Sequence, residues 1–154
     1  MKTMLITGAT SGIGKALAIN AANKGYQVIA CGRNKETLDE LSKYSNINAC
    51  QFDVTSLDDT RRALATVKFD IAVLNAGTCE YVDIDDFEPD MFRRVFEPNF
   101  FGVVHCVDAL LPRLKRGDKL VIVDSMARLL PFTRTQAYGC LLYTSDAADD
   151  RMRV

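Results

Sequence analysis

The stretch Thr7-Gly8-Ala9-Thr10-Ser11-Gly12-Ile13-Gly14 constrains this chain more than any other. The apolar run Met4-Leu5-Ile6 leads into it and an amphipathic run over 13–23 leaves it, so the order reads strand, glycine-rich turn, helix. Three glycines in so short a turn let the backbone take positive φ and approach a ligand closely, because no Cβ stands in the way. A helix that begins at such a turn aims unpaired N–H groups and the positive end of its dipole at whatever lies there. A pyrophosphate is the natural guest. The spacing is G-x-x-x-G-x-G rather than G-x-G-x-x-G. Taken alone it reads equally as an ordinary strand-to-helix loop.

The rest of the chain alternates in the same way. Apolar runs at 2–7, 27–31, 47–52, 71–74 and 119–124 read as strands, several of them apolar on both faces as buried parallel strands are. Helical patterns fill the gaps. The first carries Ile13, Ala16, Leu17 and Ala21 on one face and stops at Gly25. The second spans 35–44, and the third runs from a cap at Thr55 or Ser56 to about Val67. After a polar loop at 78–86, a helix starts near Pro89 and is interrupted by Pro98. Phe100, Val103, Val104, Val107, Leu111 and Leu114 then recur at helical spacing. Strands alternating with helices predict an α/β doubly wound parallel sheet with right-handed crossovers, whose ligand site lies at the carboxyl ends of the strands.

Composition narrows the function classes. The 154 residues suffice for one domain with a core, and a net charge of -1 offers no electrostatic case for nucleic acid or an anionic membrane surface. No apolar run nears the roughly 20 residues of a membrane helix. The first strand begins almost at Met1, which leaves no room for a leader and predicts a cytoplasmic protein. Cys31, Cys50, Cys79, Cys106 and Cys140 form no C-x-x-C pair, and His105 is the single histidine, so no metal site is expected and the cysteines read as free thiols.

Five further constellations follow, four of them at the ends of the expected strands. The second strand ends in Cys31-Gly32-Arg33. A carboxylate there would accept from a ribose 2′-hydroxyl; glycine followed by arginine suits a 2′-phosphate instead, and favours NADP over NAD. On its own, Arg33 reads also as a solvated loop arginine. The third strand ends in Asp53-Val54 and the fourth in Asn75-Ala76-Gly77. Asn99 and Gly102 follow Pro98, which disfavours helical backbone at the residue before it. Ser125 closes the fifth strand and Tyr138 lies 13 residues beyond.

The glycine turn, Asn75-Ala76-Gly77, Asn99 with Gly102, and the Ser125–Tyr138 interval together resemble the short-chain dehydrogenase/reductase family, over residues 2–139. The resemblance implies a Rossmann fold and a cofactor held by Gly8, Thr10, Ser11, Gly12, Ile13, Gly14 and Arg33. It implies that Asp53 bonds the adenine amino group with help from the Val54 backbone, and that Asn75, Ala76 and Gly77 pass beside the cofactor. Catalysis would fall to Tyr138 as proton donor, Ser125 orienting the substrate oxygen, and Asn99 anchoring a relay water. The implied reaction is hydride transfer between NADP(H), with NAD less favoured, and a small-molecule carbonyl or alcohol. The full-length form would be a homo-oligomer. Read without the family, Asp53 suits a turn or cap equally well, and Asn99 a helix residue after a proline.

One departure stands out. Tyrosine titrates near pH 10, and bringing it to work near pH 7 takes about 4 kcal/mol. The family supplies this with a lysine four residues on; here position 142 is Leu142. The segment 140–150 resembles a translated sequencing adapter. We therefore expect a truncated Rossmann domain at 1–139, ending after the fifth strand, and a non-native, disordered tail at 140–154. The fifth strand would then be an open apolar edge, and the chain poorly soluble and inactive. The alternative is a catalytically silent nucleotide-binding or regulatory protein.

Overall fold

The computed structural model describes residues 1–81, 88–125, 134, 135, 137, 138 and 141. Its strands are β1 (Thr3–Thr7), β2 (Gln27–Gly32), β3 (Ile47–Gln51), β4 (Ile71–Leu74) and β5 (Lys119–Ile122). Its helices are α1 (Gly12–Asn23), α2 (Lys35–Leu41), α3 (Leu57–Leu64), α4 (Pro89–Phe96) and α5 (Gly102–Leu110). All strand pairs are parallel, in the order β3-β2-β1-β4-β5. The chain works outward from β1 to β3, then crosses back to lay β4 on the other side of β1. The switch point between β1 and β4 is where a doubly wound sheet opens its ligand crevice.

Side chains alternate across the central strand, so adjacent residues feed different layers. Ile6 joins Ala18, Val28, Leu38 and Leu41 beneath α1 and α2. Leu5 joins Phe52, Leu64, Cys106 and Leu110 beneath α3 and α5. Among the described residues no helix is long and apolar enough to cross a membrane.

Helix α1 is rotated from the expected phase. Its buried positions are Gly14, Ala18, Ala21 and Ala22, while Ile13 is 72% exposed and Ala16 faces outward. The cause is Gly14. The helix lies so close to the preceding turn that only a residue without a side chain fits there, and that contact sets which stripe turns inward. At its other end the helix closes as a Schellman motif. The Gly25 amide donates to Ala22 O at 2.9 Å and the Tyr26 amide to Ala21 O at 3.1 Å. Helix α2 stops at Leu41 rather than 44, where Ser42 turns its hydroxyl onto Leu38 O at 3.0 Å. Helix α3 is capped by Ser56, whose hydroxyl accepts from the Asp59 amide at 3.2 Å, and ends at Leu64 rather than Val67.

Pro98 does not break the helix. Glu97 keeps helical backbone (φ -54°, ψ -57°) despite preceding a proline. The chain instead widens into a π turn, Glu97–Phe101, in which the Gly102 amide reaches back five residues to Glu97 O. A wider turn makes room for the ring that an α-helical turn would drive into the carbonyl behind it.

Strand β5 is an edge strand among the described residues. Val121, Ile122 and Val123 are 42%, 54% and 41% exposed. On α5 and the π turn, Phe100, Phe101 and Val104 are likewise exposed. Of the segment 140–154 only Leu141 lies among the described residues, and it is buried. Residues 82–87, part of the stretch expected as a polar loop, and position 142 lie outside them.

Candidate active site

The glycine turn is built by close approach. Gly8 (φ +67°) and Gly12 (φ +48°) take left-handed backbone, which other residues adopt only under strain. Gly14 is needed for space alone. A Cβ on it would lie inside the Gly8 carbonyl oxygen and 2.6 Å from Asn75 Nδ2. Ser11 precedes α1 in extended backbone, and its side chain makes no capping bond. The first amides of α1 are therefore left to water or a ligand, whereas Asn34 and Ser56 cap α2 and α3 with their own side chains.

The ends of β1 and β4 are stitched together at the switch point. Thr7 is buried, and its hydroxyl accepts from the amides of both Asn75 and Ala76, each at 3.0 Å. Asn75 Nδ2 donates back to Thr7 O at 3.2 Å. Thr7 opens the glycine stretch, and its role in tying the two strands shows only in the structure. Its signal was a polar side chain at the inner end of an otherwise apolar central strand.

Asn99, in the π turn, reaches the loop after β4. Its Nδ2 donates to Thr78 O and Val95 O, both at 2.7 Å, and its Oδ1 accepts from the Thr78 amide at 3.0 Å. Any Cβ on Gly77 would strike Asn99 Oδ1. The side chain thus spends both donors on main chain. An Asn99→Ala variant leaves three main-chain groups without that partner. It should lose about 2–3 kcal/mol, read as a lowered midpoint in urea unfolding.

Two cavities lie along the carboxyl edge of the sheet. The larger, about 700 Å³, is lined by Ile13, Asn75, Ala76, Gly77 and Asn99 together with Ser125 and Tyr138. Ile13, turned away from the core, and Phe100, Val104 and Ile122 give it apolar walls. Tyr138 is half-buried in a helical turn and packs against the Met91–Val95 cluster of α4. The Ser125 amide donates to Asp124 Oδ1 at 2.7 Å. The smaller cavity, about 120 Å³, gathers Gly8, Thr10, Ser11, Arg33, Asp53 and Val54, and shares Ala76 and Gly77 with the first. Gly12 and Gly14 line neither; they shape the turn from beneath.

Arg33 and Asp53 face each other across the smaller cavity, Nη1 to Oδ2 at 3.6 Å, with the arginine side chain 75% exposed. Asp53 Oδ1 accepts from the Thr55 amide at 3.0 Å and from its hydroxyl at 2.9 Å, the geometry of a turn residue. Burial raises the Asp53 carboxyl more than any single partner lowers it, but Thr55 and Arg33 together leave it below the usual carboxylate range. Gly32 carries no carboxylate, and a Cβ there would stand 2.6 Å from Thr10 Cγ2. Thr10 fills the space that an aspartate at position 32 would need.

Cys31 and Cys50 are register partners on β2 and β3; the Cys31 thiol donates to Ile29 O at 3.7 Å and the Cys50 thiol to Ala63 O at 3.9 Å. Their side-by-side placement lowers the Cys50 thiol and raises that of Cys31, which burial raises further. Burial pushes the Cys106 thiol up to about 12. Cys79 is exposed beside the larger cavity. Since the thiolate is the reactive form and must be reachable, an alkylating reagent on the native chain should modify Cys79 and then Cys50. Cys31 and Cys106 should react only on unfolding, and peptide mass mapping over time checks that order. Among the described residues no group of three or more His, Cys, Asp or Glu side chains is placed to hold a metal ion.

Comparison with known proteins agrees with this architecture. The family model described as short chain dehydrogenase matches residues 2–140. An uncharacterised short-chain-type dehydrogenase/reductase of Sinorhizobium fredii is 31% identical over 139 residues, covering 88% of this chain and 56% of that protein. A 3beta-hydroxysteroid dehydrogenase of Mediterraneibacter gnavus is 32% identical over 151 residues, covering 89% and 54%. The crystal structure of serine dehydrogenase from Escherichia coli superposes with a TM-score of 0.87 at 26% identity, covering 98% of this chain and 74% of that one. A 3-ketoacyl-(acyl-carrier-protein) reductase from Brucella melitensis, complexed with NADH, gives 0.86 at 25% identity, covering 96% and 66%. The chain spans a little over half the length of the curated relatives it matches. With its parallel sheet, glycine turn and strand-end motifs in their observed places, this chain belongs to the short-chain dehydrogenase/reductase family.

Proposed function

We propose that this chain carries the cofactor site and catalytic residues of an oxidoreductase that moves hydride between NADP(H) and the carbonyl or alcohol carbon of a small molecule. The observation that carries the reading is the larger cavity, where Ser125, Tyr138 and Asn99 meet the strand end Asn75-Ala76-Gly77. A dinucleotide suits the residues present. The uncapped start of α1 and the left-handed Gly8 put main-chain donors beside the smaller cavity, and Gly32, packed against Thr10, brings no carboxylate into it. When bound, the nicotinamide supplies the hydride chemistry. In this reading Gly8, Thr10, Ser11, Gly12, Ile13 and Gly14 receive the pyrophosphate end. Arg33 takes a 2′-phosphate, and Asp53 with Val54 borders the adenine. Tyr138 gives its phenolic proton to the substrate oxygen, Ser125 holds that oxygen by a hydrogen bond, and Asn99 holds the wall beside them.

The preference for NADP is tested on Arg33→Ala. Losing a charge-assisted contact to phosphate should weaken NADPH binding about tenfold or more, with NADH affinity unchanged. Equal loss for both cofactors, or none, would remove the basis for NADP. A related serine dehydrogenase structure is complexed with NADP+, and the Brucella reductase with NADH, so relatives use either.

Leu142 favours a second reading, a nucleotide-binding protein without turnover. The two separate in a carbonyl-reduction assay with NADPH. Turnover that Tyr138→Phe abolishes while NADPH binding persists supports the enzyme. Binding with no turnover before and after Leu142→Lys supports the silent binder.

A further inference from the structure

We propose that His105 is a positioning residue for the adenosine end of the cofactor site, acting through the main chain of Val54; the proposal rests on the NADP(H) reading above. Asn99, Gly102 and His105 recur every three residues and share one face of the π turn and α5. That face braces two cofactor loops at once. Asn99 holds Thr78 in the loop after β4. Gly102 admits Val54, whose Cγ2 lies 2.8 Å from where a Cβ on that glycine would stand. One turn on, His105 Nδ1 lies 2.9 Å from Val54 O.

A carbonyl oxygen only accepts, so Nδ1 carries the hydrogen. The neutral Nδ1–H tautomer and the imidazolium both donate from that atom, so the bond survives a change of charge on the ring. Val54 sits in the turn between β3 and α3, outside both elements, on the wall of the smaller cavity beside Arg33 and Asp53. The turn is pinned from two directions. The Asp53 amide donates to Asp59 Oδ2 of α3 at 2.9 Å, and His105 of α5 holds the next residue's carbonyl. Asp108, one turn beyond His105, is tied to Arg61 of α3 at 2.8 Å, which fixes the two helices that carry these pins. Removing the His105 donor frees the Val54 side of the turn alone, and the displacement falls where the adenosine would lie.

The test compares His105→Leu, which has no donor, with His105→Asn, whose amide nitrogen takes the place of Nδ1. Affinity is measured for NADPH by its fluorescence and for adenosine 2′,5′-bisphosphate by competition, with thermal melts alongside. His105→Leu should weaken both ligands about fivefold, equivalent to about 1 kcal/mol. His105→Asn should restore both to within about twofold of the parent. Parent-like binding by His105→Leu overturns the proposal. So does His105→Asn binding as weakly as His105→Leu, since that is a packing effect. If the parent chain binds neither ligand, the NADP(H) reading itself has failed and this proposal falls with it; the parent's own titration separates that result from the others.

Discussion

Gly14→Ala should cost this fold about 3 kcal/mol or more, although alanine is the better helix former by about 1 kcal/mol. The added methyl group would lie inside the Gly8 carbonyl oxygen, 2.8 Å from its carbon and 2.6 Å from Asn75 Nδ2. Two of those three atoms are main chain held by neighbouring strands, so relief requires moving α1 off the sheet. Against a total stability of about 5–15 kcal/mol for a domain, the loss is large. Gly12→Ala is the control. Nothing lies within 4 Å of a Cβ there, and only its left-handed φ of +48° is strained, at about 1–2 kcal/mol. Urea unfolding of the two variants separates space from backbone strain. Equal losses would show that crowding at Gly14 is relieved cheaply. NADPH affinity should fall with Gly14→Ala even where the variant remains folded, because the displaced helix start no longer addresses the turn.

The second large effect is expected at Thr7→Val. The two side chains have nearly the same shape, so the variant removes one hydroxyl and leaves the packing of β1 unchanged. That hydroxyl accepts from the Asn75 and Ala76 amides, both at 3.0 Å, and Thr7 is 1% exposed. Leaving a donor out of reach of water without a partner costs about 1–3 kcal/mol; for these two half-buried amides about 2–6 kcal/mol is the upper range of the loss. Thr7→Ser keeps the acceptor and should lose less than half as much. Amide hydrogen exchange gives the local readout: protection at Asn75 and Ala76 should fall in Thr7→Val before protection in β2 changes. If both amides stay protected, another acceptor holds them and the stitching role assigned to Thr7 is wrong.

Much of the arrangement was legible before any coordinates. The five strands are legible to within a residue or two as apolar runs between turn signals, and the central β1, β2 and β4 owe that pattern to burial on both faces. The close of α1 at Gly25 was legible because a Schellman motif is chemistry within six residues. Two readings differ from the structure, each where a distant contact overrode a local rule. The inner face of α1 was assigned from apolar content, and Ile13 and Ala16 turned out to face outward because Gly14 must face Gly8. By the local rule Pro98 interrupts a helix, and here the chain passes it in a π turn that Asn99 fastens to Thr78 and Val95. Nothing local links Asp53 to Arg33; only the pairing of β2 with β3 sets them 3.6 Å apart.

By itself the sequence determined the alternation of elements, the α/β class, the glycine turn and the candidate site residues at the strand ends. The first three follow from periodicity, turn chemistry and residue type, which act over a few neighbouring positions; the site residues rest on the resemblance to the family. Only the tertiary structure decided that β4 returns beside β1, and so that Thr7 meets Asn75 and Ala76, 68 and 69 residues away. It also decided that one face of the π turn and α5 reaches both the loop after β4 and the loop after β3. The physical reason is range. A hydrogen bond or a van der Waals limit acts over about 3–4 Å, and which distant residues come within it is set by how whole elements pack.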